Sequence, residues 1–333
     1  MSESLRNKVG VIGAGRWGTT LAHIIATGGL DTLVYSENAE LVANINAHRV
    51  NKAHLPELDL LHERVTATAT LEDLTANCDL LLIAVSVHRM RAIVRRLGDT
   101  LDGSHSIVHA VRGLEAETFA TPSRIVAEET CVRKIGALLG PALVDELLAE
   151  RPNAAVIASR FPSVIALARK ALVNPVMRVY SNPDLVGVEA AAAASNVMAL
   201  ALGVVAGLSL GPATYAVLVT RSVAEMSRLC AALGGQATTA FGLAGLGDLL
   251  VLREGGGQEV EIGKRLAAGE TAASIIEELG PIDAFDAVKT FNELSIRRGV
   301  DAEITRAVHD LAMGIVQPLE AVRRLMTLTQ MKE

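Results

Sequence analysis

Aromatic side chains are scarce in this sequence, which holds one tryptophan, three tyrosines and five phenylalanines in 333 residues. A hydrophobic core must therefore come from alanine, valine, leucine and isoleucine. Cysteine is also sparse: Cys78, Cys131 and Cys230 stand far apart, which argues against a disulfide framework and suits a reducing compartment. Positive charge is not in excess. With 31 basic against 37 acidic residues and a net charge of −6, nothing electrostatic calls for nucleic acid or an anionic membrane as partner. The eight histidines lack the close spacing of a zinc site, so no metal is expected. The opening stretch, "MSESLRNKVGVIGAG", lacks a signal peptide's apolar core and small-residue cleavage site. The expectation is a cytoplasmic protein.

Half of the residues are hydrophobic and a fifth are charged, as in a globular protein long enough for two domains. One run, from Glu189 to Arg221, carries no charge between its ends and exceeds the roughly 20 residues a membrane requires. Gly203, Gly207 and the Gly211–Pro212 pair interrupt it, and Ser195–Asn196 lies near its start. Those features argue against a lipid-exposed span.

The first half of the chain alternates strand and helix. Lys8–Ile12, Thr32–Tyr35, Val65–Ala69, Asp79–Val85, His105–Val111 and Lys134–Leu139 read as strands. Ala154–Ala158 and Val176–Tyr180 are candidates to extend the sheet. "DLLLIAV" is continuously apolar, as a parallel strand covered on both faces should be. Helical stretches at Ala39–His48, Val87–Leu97 and Pro122–Glu129 separate these strands. The pattern predicts an α/β fold with a doubly wound parallel sheet. After "YSNPDLVG" the strand signals stop and the remainder reads as helix.

Between the first strand and the first helix lies "GAGRWG", with Gly13, Gly15 and Gly18 in G-x-G-x-x-G spacing. The first glycine permits the tight turn, the second lets backbone approach a pyrophosphate, and the third lets helix and strand pack closely. With Arg16 and Trp17 the loop is the candidate dinucleotide site, its phosphates against a helix N-terminus. Glu37, in "LVYSEN", stands where a ribose-reading acid belongs, and a carboxylate there favours NAD over NADP. The alternative is an early helix-turn acid complementing the next helix's dipole. His88 follows the "DLLLIAV" strand at its carboxyl end, either near the cofactor or simply opening a helix. Arg89, Arg91, Arg95 and Arg96 read as a solvated helix face.

Several longer segments, "GAGRWGTTLA" (13–22), "RGLEAET" (112–118), "YSNPDLVGVE" (180–189), "SNVMALALG" (195–203), "TRSVAEMSRLCAALG" (220–234) and "AGLGDL" (244–249), occur in an order that resembles the NAD(P)-dependent glycerol-3-phosphate dehydrogenase family over nearly the full length. The resemblance implies a Rossmann domain over 1–182 and an all-helical substrate domain over 183–333, of the 6-phosphogluconate-dehydrogenase-like type. It also implies the exchange of a hydride between NAD and C2 of glycerol 3-phosphate, giving dihydroxyacetone phosphate, in the cleft between domains. A homodimer is left open.

The chain departs from the family pattern where charge is needed. The family's proton-transfer lysine, followed by asparagine, is here Ser195 followed by Asn196. A hydroxyl without an adjacent base cannot take up a proton as a lysine of depressed pKa can. A second family lysine is Arg112, which keeps the charge but cannot exchange a proton. The phosphate-holding Ser–Arg–Asn segment is replaced by "REGGGQEVEIG", with Glu259 and Val260 near the expected positions and Arg253 in a different register. The "GPTF" and "EGYRNTK" segments have become "GPAL" and "DAFDAVK", the latter keeping Lys289. Asp248 survives, as a substrate-site residue or a helix N-cap; Asn196 is a substrate contact or a helix-packing residue. Ser195 reads as a filler rather than a nucleophile, since no Ser–His–Asp arrangement lies near it. Three readings remain: an active glycerol-3-phosphate dehydrogenase using Arg112, Asp248 and Lys289 in altered roles, a dehydrogenase for another small substrate, or a non-catalytic NAD-binding protein.

Overall fold

A computed structural model describes residues 8–254 and 257–327, which divide into two compact units. The first comprises the chain up to Arg112 together with Pro122–Leu185, and the second comprises Gly113–Thr121 and the chain from Val186 onward.

The first unit is built on an eight-stranded sheet: β1 (Lys8–Ile12), β2 (Asp31–Tyr35), β3 (Val65–Thr68), β4 (Leu80–Ile83), β5 (Ser106–His109), β6 (Lys134–Leu139), β7 (Asn153–Ala158) and β8 (Met177–Asn182). Its order is β3-β2-β1-β4-β5-β6-β7-β8. From β1 the chain winds outward through β2 and β3, then returns to lay β4 on the other side of β1. The carboxyl ends of β1 and β4 therefore diverge at a switch point, the usual ligand position in such sheets. Every pairing is parallel except β6 with β7. The two candidate extension strands thus join the sheet, but both run opposite to the other six.

Seven helices connect the strands: α1 (Arg16–Thr27), α2 (Ala39–His48), α3 (Leu71–Asn77), α4 (Val87–Gly98), α5 (Pro122–Glu129), α6 (Val144–Leu148) and α7 (Pro162–Leu172). The apolar strands read in the sequence are fully covered: Leu80, Leu81, Leu82 and Ile83 are all buried. The arginines of α4 are not merely solvated. Arg91 pairs with Glu128 and Glu129, and Arg95 with Glu129, so that α4 is laced to α5.

The second unit is helical: α8 (Leu185–Gly207), α9 (Gly211–Leu233), α10 (Asp248–Glu254), α11 (Gln258–Ala267), α12 (Ala272–Leu279), α13 (Asp283–Arg298), α14 (Glu303–Ala312) and α15 (Pro318–Thr327). The long uncharged run is not one span. It is split between α8 and α9 by a turn in which Ser209 and Gly211 both take positive φ. Helix α8 is long and apolar enough to cross a membrane, but 89% of its apolar window is buried within the fold. Small residues let it pack closely: a Cβ on Gly203 would lie 2.3 Å from the Val260 carbonyl of α11. Larger side chains there would separate the two backbones.

Candidate cofactor site

At the switch point an open cavity of about 320 Å³ extends from the glycine loop to the end of β2 and the start of α4. Gly13, with φ +109°, turns the chain sharply, and a Cβ on it would fall 2.4 Å from the Ala84 carbonyl. A Cβ on Gly18 would lie 2.0 Å from the Gly13 carbonyl, so α1 can approach β1 only without one. Gly15 differs, because nothing lies within 4 Å of the Cβ it lacks. It caps α1 without any side-chain hydrogen bond. The first-turn N–H groups and the positive end of the helix dipole thus meet open space, as a pyrophosphate requires. The residues present fit a dinucleotide.

Asn51, which has no sequence signature, holds this loop in place. It is buried, and its Nδ2 donates to the Ala14 carbonyl at 2.8 Å and to Thr19 Oγ1 at 2.7 Å. Arg16 and Trp17 are not among the cavity-lining residues. Arg16 is ion-paired with Glu57 and with Asp145, the latter at 2.5 Å. Trp17 is half-buried against the sheet's hydrophobic core.

Glu37 lines the cavity where β2 ends. It stands one residue before Asn38, whose side chain caps α2 by accepting from the Leu41 N–H at 3.1 Å. The acid in the first turn of α2 is Glu40, which leaves Glu37 facing the cavity rather than serving that helix. Two guanidinium groups of α4 hold its carboxylate: Arg89 on one oxygen and Arg96 on the other. Arg96 also donates to the Tyr35 hydroxyl at 3.1 Å. Hydrogen bonding from Arg96, reinforced by Arg89, keeps the Glu37 carboxyl below the usual range despite slight desolvation. His54, Ser86, Arg89 and Ile93 complete the wall. None is signalled by local sequence: His54 arrives from the loop after α2, and the other three from α4 and its N-cap. His88 is exposed, with Nε2 3.2 Å from Ser86 Oγ, and is not part of that wall. Arg112 is half-buried just beyond β5 and donates to the Gly140 carbonyl at 3.3 Å. That places it at the carboxyl edge of the same sheet.

In the helical unit, Ser195 and Asn196 lie within α8, while Asp248 is the first residue of α10, after a single π turn over Leu243–Gly247. All three are buried. Ser195 Oγ is 2.8 Å from Asp248 Oδ2 and 2.8 Å from the Ala192 carbonyl. The hydroxyl is a donor toward both, and its single proton is shared between two acceptors. Asn196 Oδ1 is buried without a partner among the described residues. Such an atom is costly to leave unsatisfied. Lys289 is exposed on α13, and its ammonium group makes no hydrogen bond or ion pair among the described residues. Glu259, at the start of α11, is half-buried and Val260 is buried. The side chain of Arg253 lies outside the described residues. Another cavity, of only about 60 Å³, sits among α8, α9, α14 and α15, and its aliphatic lining includes almost no polar group for a nucleotide.

The sheet order, the glycine turn and the acid at the end of β2 define a dinucleotide-binding α/β protein with a helical second unit. The comparisons specify it further. Residues 8–164 match the N-terminal region of NAD-dependent glycerol-3-phosphate dehydrogenase and residues 184–323 match its C-terminal region. The chain belongs to this family. It is 35% identical to a glycerol-3-phosphate dehydrogenase [NAD(P)+] of Geobacter sulfurreducens, over 97% of this chain and 98% of that one. Against the corresponding protein of Halothermothrix orenii it is 31% identical, over 97% and 95%. The crystal structure of glycerol-3-phosphate dehydrogenase from Coxiella burnetii superposes with a TM-score of 0.89 at 28% identity, covering 96% of this chain and 99% of that one. The chain is thus an NAD(P)-binding oxidoreductase-family protein with the Rossmann fold.

Proposed function

We propose that this chain binds NAD in preference to NADP and that its site for the family reaction is disarmed. The observation that carries the second half is the Ser195–Asp248 hydrogen bond. By resemblance, a lysine should stand at position 195, able to give a proton to the carbonyl oxygen of dihydroxyacetone phosphate or take one from the alcohol. Here a serine hydroxyl occupies that position and donates its proton to a buried carboxylate. Loss of a positioned acid/base lowers rates by about 10²–10⁴-fold. NAD would supply only the hydride acceptor. The protein's residues cradle its phosphates at Gly13–Gly18 and accept ribose hydroxyls at Glu37, but present no ammonium group at the reacting oxygen. Glu259, near the family's phosphate-binding arginine by register, adds repulsion toward a phosphate dianion. The chain's place is then the cytoplasm, as an NAD-responsive regulatory or assembly protein.

Restoring the charges tests this. S195K combined with E259R is expected to raise dihydroxyacetone phosphate reduction by at least about 10²-fold over the unmodified protein. A double variant that binds NADH, remains folded and shows no gain would refute the disarmed-site reading. Asp248, a buried carboxylate able to accept a proton, and Arg112, a retained cation, favour a second reading: a dehydrogenase for another small substrate. Turnover of a non-phosphorylated keto or hydroxy acid by the unmodified protein would select it.

A further inference from the structure

The charged cluster at the end of β2, of which Glu37 and Arg89 line the cavity and Arg96 stands behind them, carries more positive than negative charge. Glu37 contributes one carboxylate, while Arg89 and Arg96 contribute two guanidinium groups, one on each of its oxygens. All three side chains are about half exposed, at 44%, 58% and 56% respectively. The two arginines are seven positions apart on α4, so they lie on one face of that helix. Arg89 itself lines the cavity beside Glu37.

An acid at this position ordinarily excludes NADP because its negative charge repels the 2′-phosphate. That account is incomplete here, since the cluster of three has a formal charge of +1. What Glu37 does is occupy the donors. Its two oxygens satisfy guanidinium groups that would equally suit the oxygens of a phosphate. We propose that Arg89 and Arg96 are the specificity-determining residues of this site: they form a latent 2′-phosphate site that Glu37 holds closed. This rests on the NAD-preferring reading above and gives its residue basis. The carboxylate acts as an internal stand-in for the phosphate, and removing it opens an NADP site with no further change.

Equilibrium binding of NADH and NADPH, followed by cofactor fluorescence, tests the proposal on the unmodified protein, E37S and the triple variant E37S/R89M/R96M. The serine is small enough to leave the carboxylate's volume to a phosphate. The unmodified protein should bind NADH at least about tenfold more tightly than NADPH. In E37S, NADPH affinity should rise at least about tenfold and fall steeply with added salt. The triple variant should lose that gain, its NADPH affinity falling at least about tenfold below that of E37S. Exposed ion pairs contribute little to folding, and thermal melting of each variant verifies that it is folded. A folded E37S with unchanged NADPH affinity overturns the proposal and leaves the NAD preference standing, as does a gain that persists in the triple variant. An unmodified protein that binds the two cofactors equally overturns the NAD preference itself, and the proposal with it.

Discussion

Gly15 and Gly18 lie three residues apart and lack a Cβ for opposite reasons. At Gly15 an added methyl meets nothing within 4 Å and the φ of −70° suits any residue, so the missing atom leaves room only for a ligand. At Gly18 the methyl would sit 2.0 Å from a backbone oxygen. G15A should therefore fold normally and lose at least about tenfold in NADH affinity, read by calorimetry. G18A should lose about 1–3 kcal/mol of stability in denaturant unfolding, the cost of overpacking. If G15A binds NADH unchanged, the loop does not carry the pyrophosphate. These glycines were legible in the sequence because their spacing is local. Asn51, Arg89 and Arg96 were not, since each reaches the site through tertiary structure. A run of arginines in a helix looks the same whether solvated or paired; only the fold shows Glu37 and Glu129 opposite them. Ser195 became informative only through the family resemblance, as a serine in a polyalanine stretch says nothing alone.

Among the elements, the start of α14 shows how a buried charge is used. Its N-cap residue, Ala302, offers no side chain to the first-turn N–H groups. Glu225 of α9 serves instead, accepting from the N–H groups of Ile304 and Thr305, each at 2.8 Å, and from Thr305 Oγ1 at 2.6 Å. Burial pushes its carboxyl above the usual range even against these hydrogen bonds. For a raised carboxyl, stability is full below the unfolded-state pKa, about 4.3, and declines as pH rises through the folded value. The α4–α5 ion pairs have the opposite sign. Arg95, then Arg91, draws Glu129 down to about 2, so that contribution is lost as pH falls from the usual carboxylate range toward that value. E225Q should remove the first dependence while costing about 1–3 kcal/mol, because an amide nitrogen would face a backbone N–H. Urea unfolding of both proteins between about pH 4 and 7 measures the slope and the offset. An unchanged slope would show that Glu225 does not titrate as its burial requires. Sequence patterns gave no sign of this cap, since it joins residues far apart in the chain.

For the molecule as a whole, alternating strands and helices announced the doubly wound sheet, and the continuously apolar strands announced burial on both faces. Strand direction at the far edge was not legible: β7 and β8 run opposite to β1–β6, yet β7 is as apolar as the strands it opposes. Nor does anything local assign Gly113–Thr121 to the helical unit, where Leu114 and Phe119 join the hydrophobic core. The uncharged run was legible in part: the Gly211–Pro212 pair marked the break before α9, whereas Gly203, read as an interruption, lies inside the continuous helix α8, where it serves the close approach to α11. One unit carries the glycine turn and its cavity, the other a buried hydroxyl–carboxylate pair, Ser195 and Asp248; on the proposed reading the first holds NAD and the second stands where the family's reaction needs an ammonium group. The most direct test is to saturate the purified, unmodified protein with NADH, verified by calorimetry, add dihydroxyacetone phosphate, and follow NADH absorbance. The account predicts tight NADH binding with oxidation at least about 10²-fold slower than by the S195K/E259R variant under the same conditions; oxidation by the unmodified protein as fast as by that variant would contradict it.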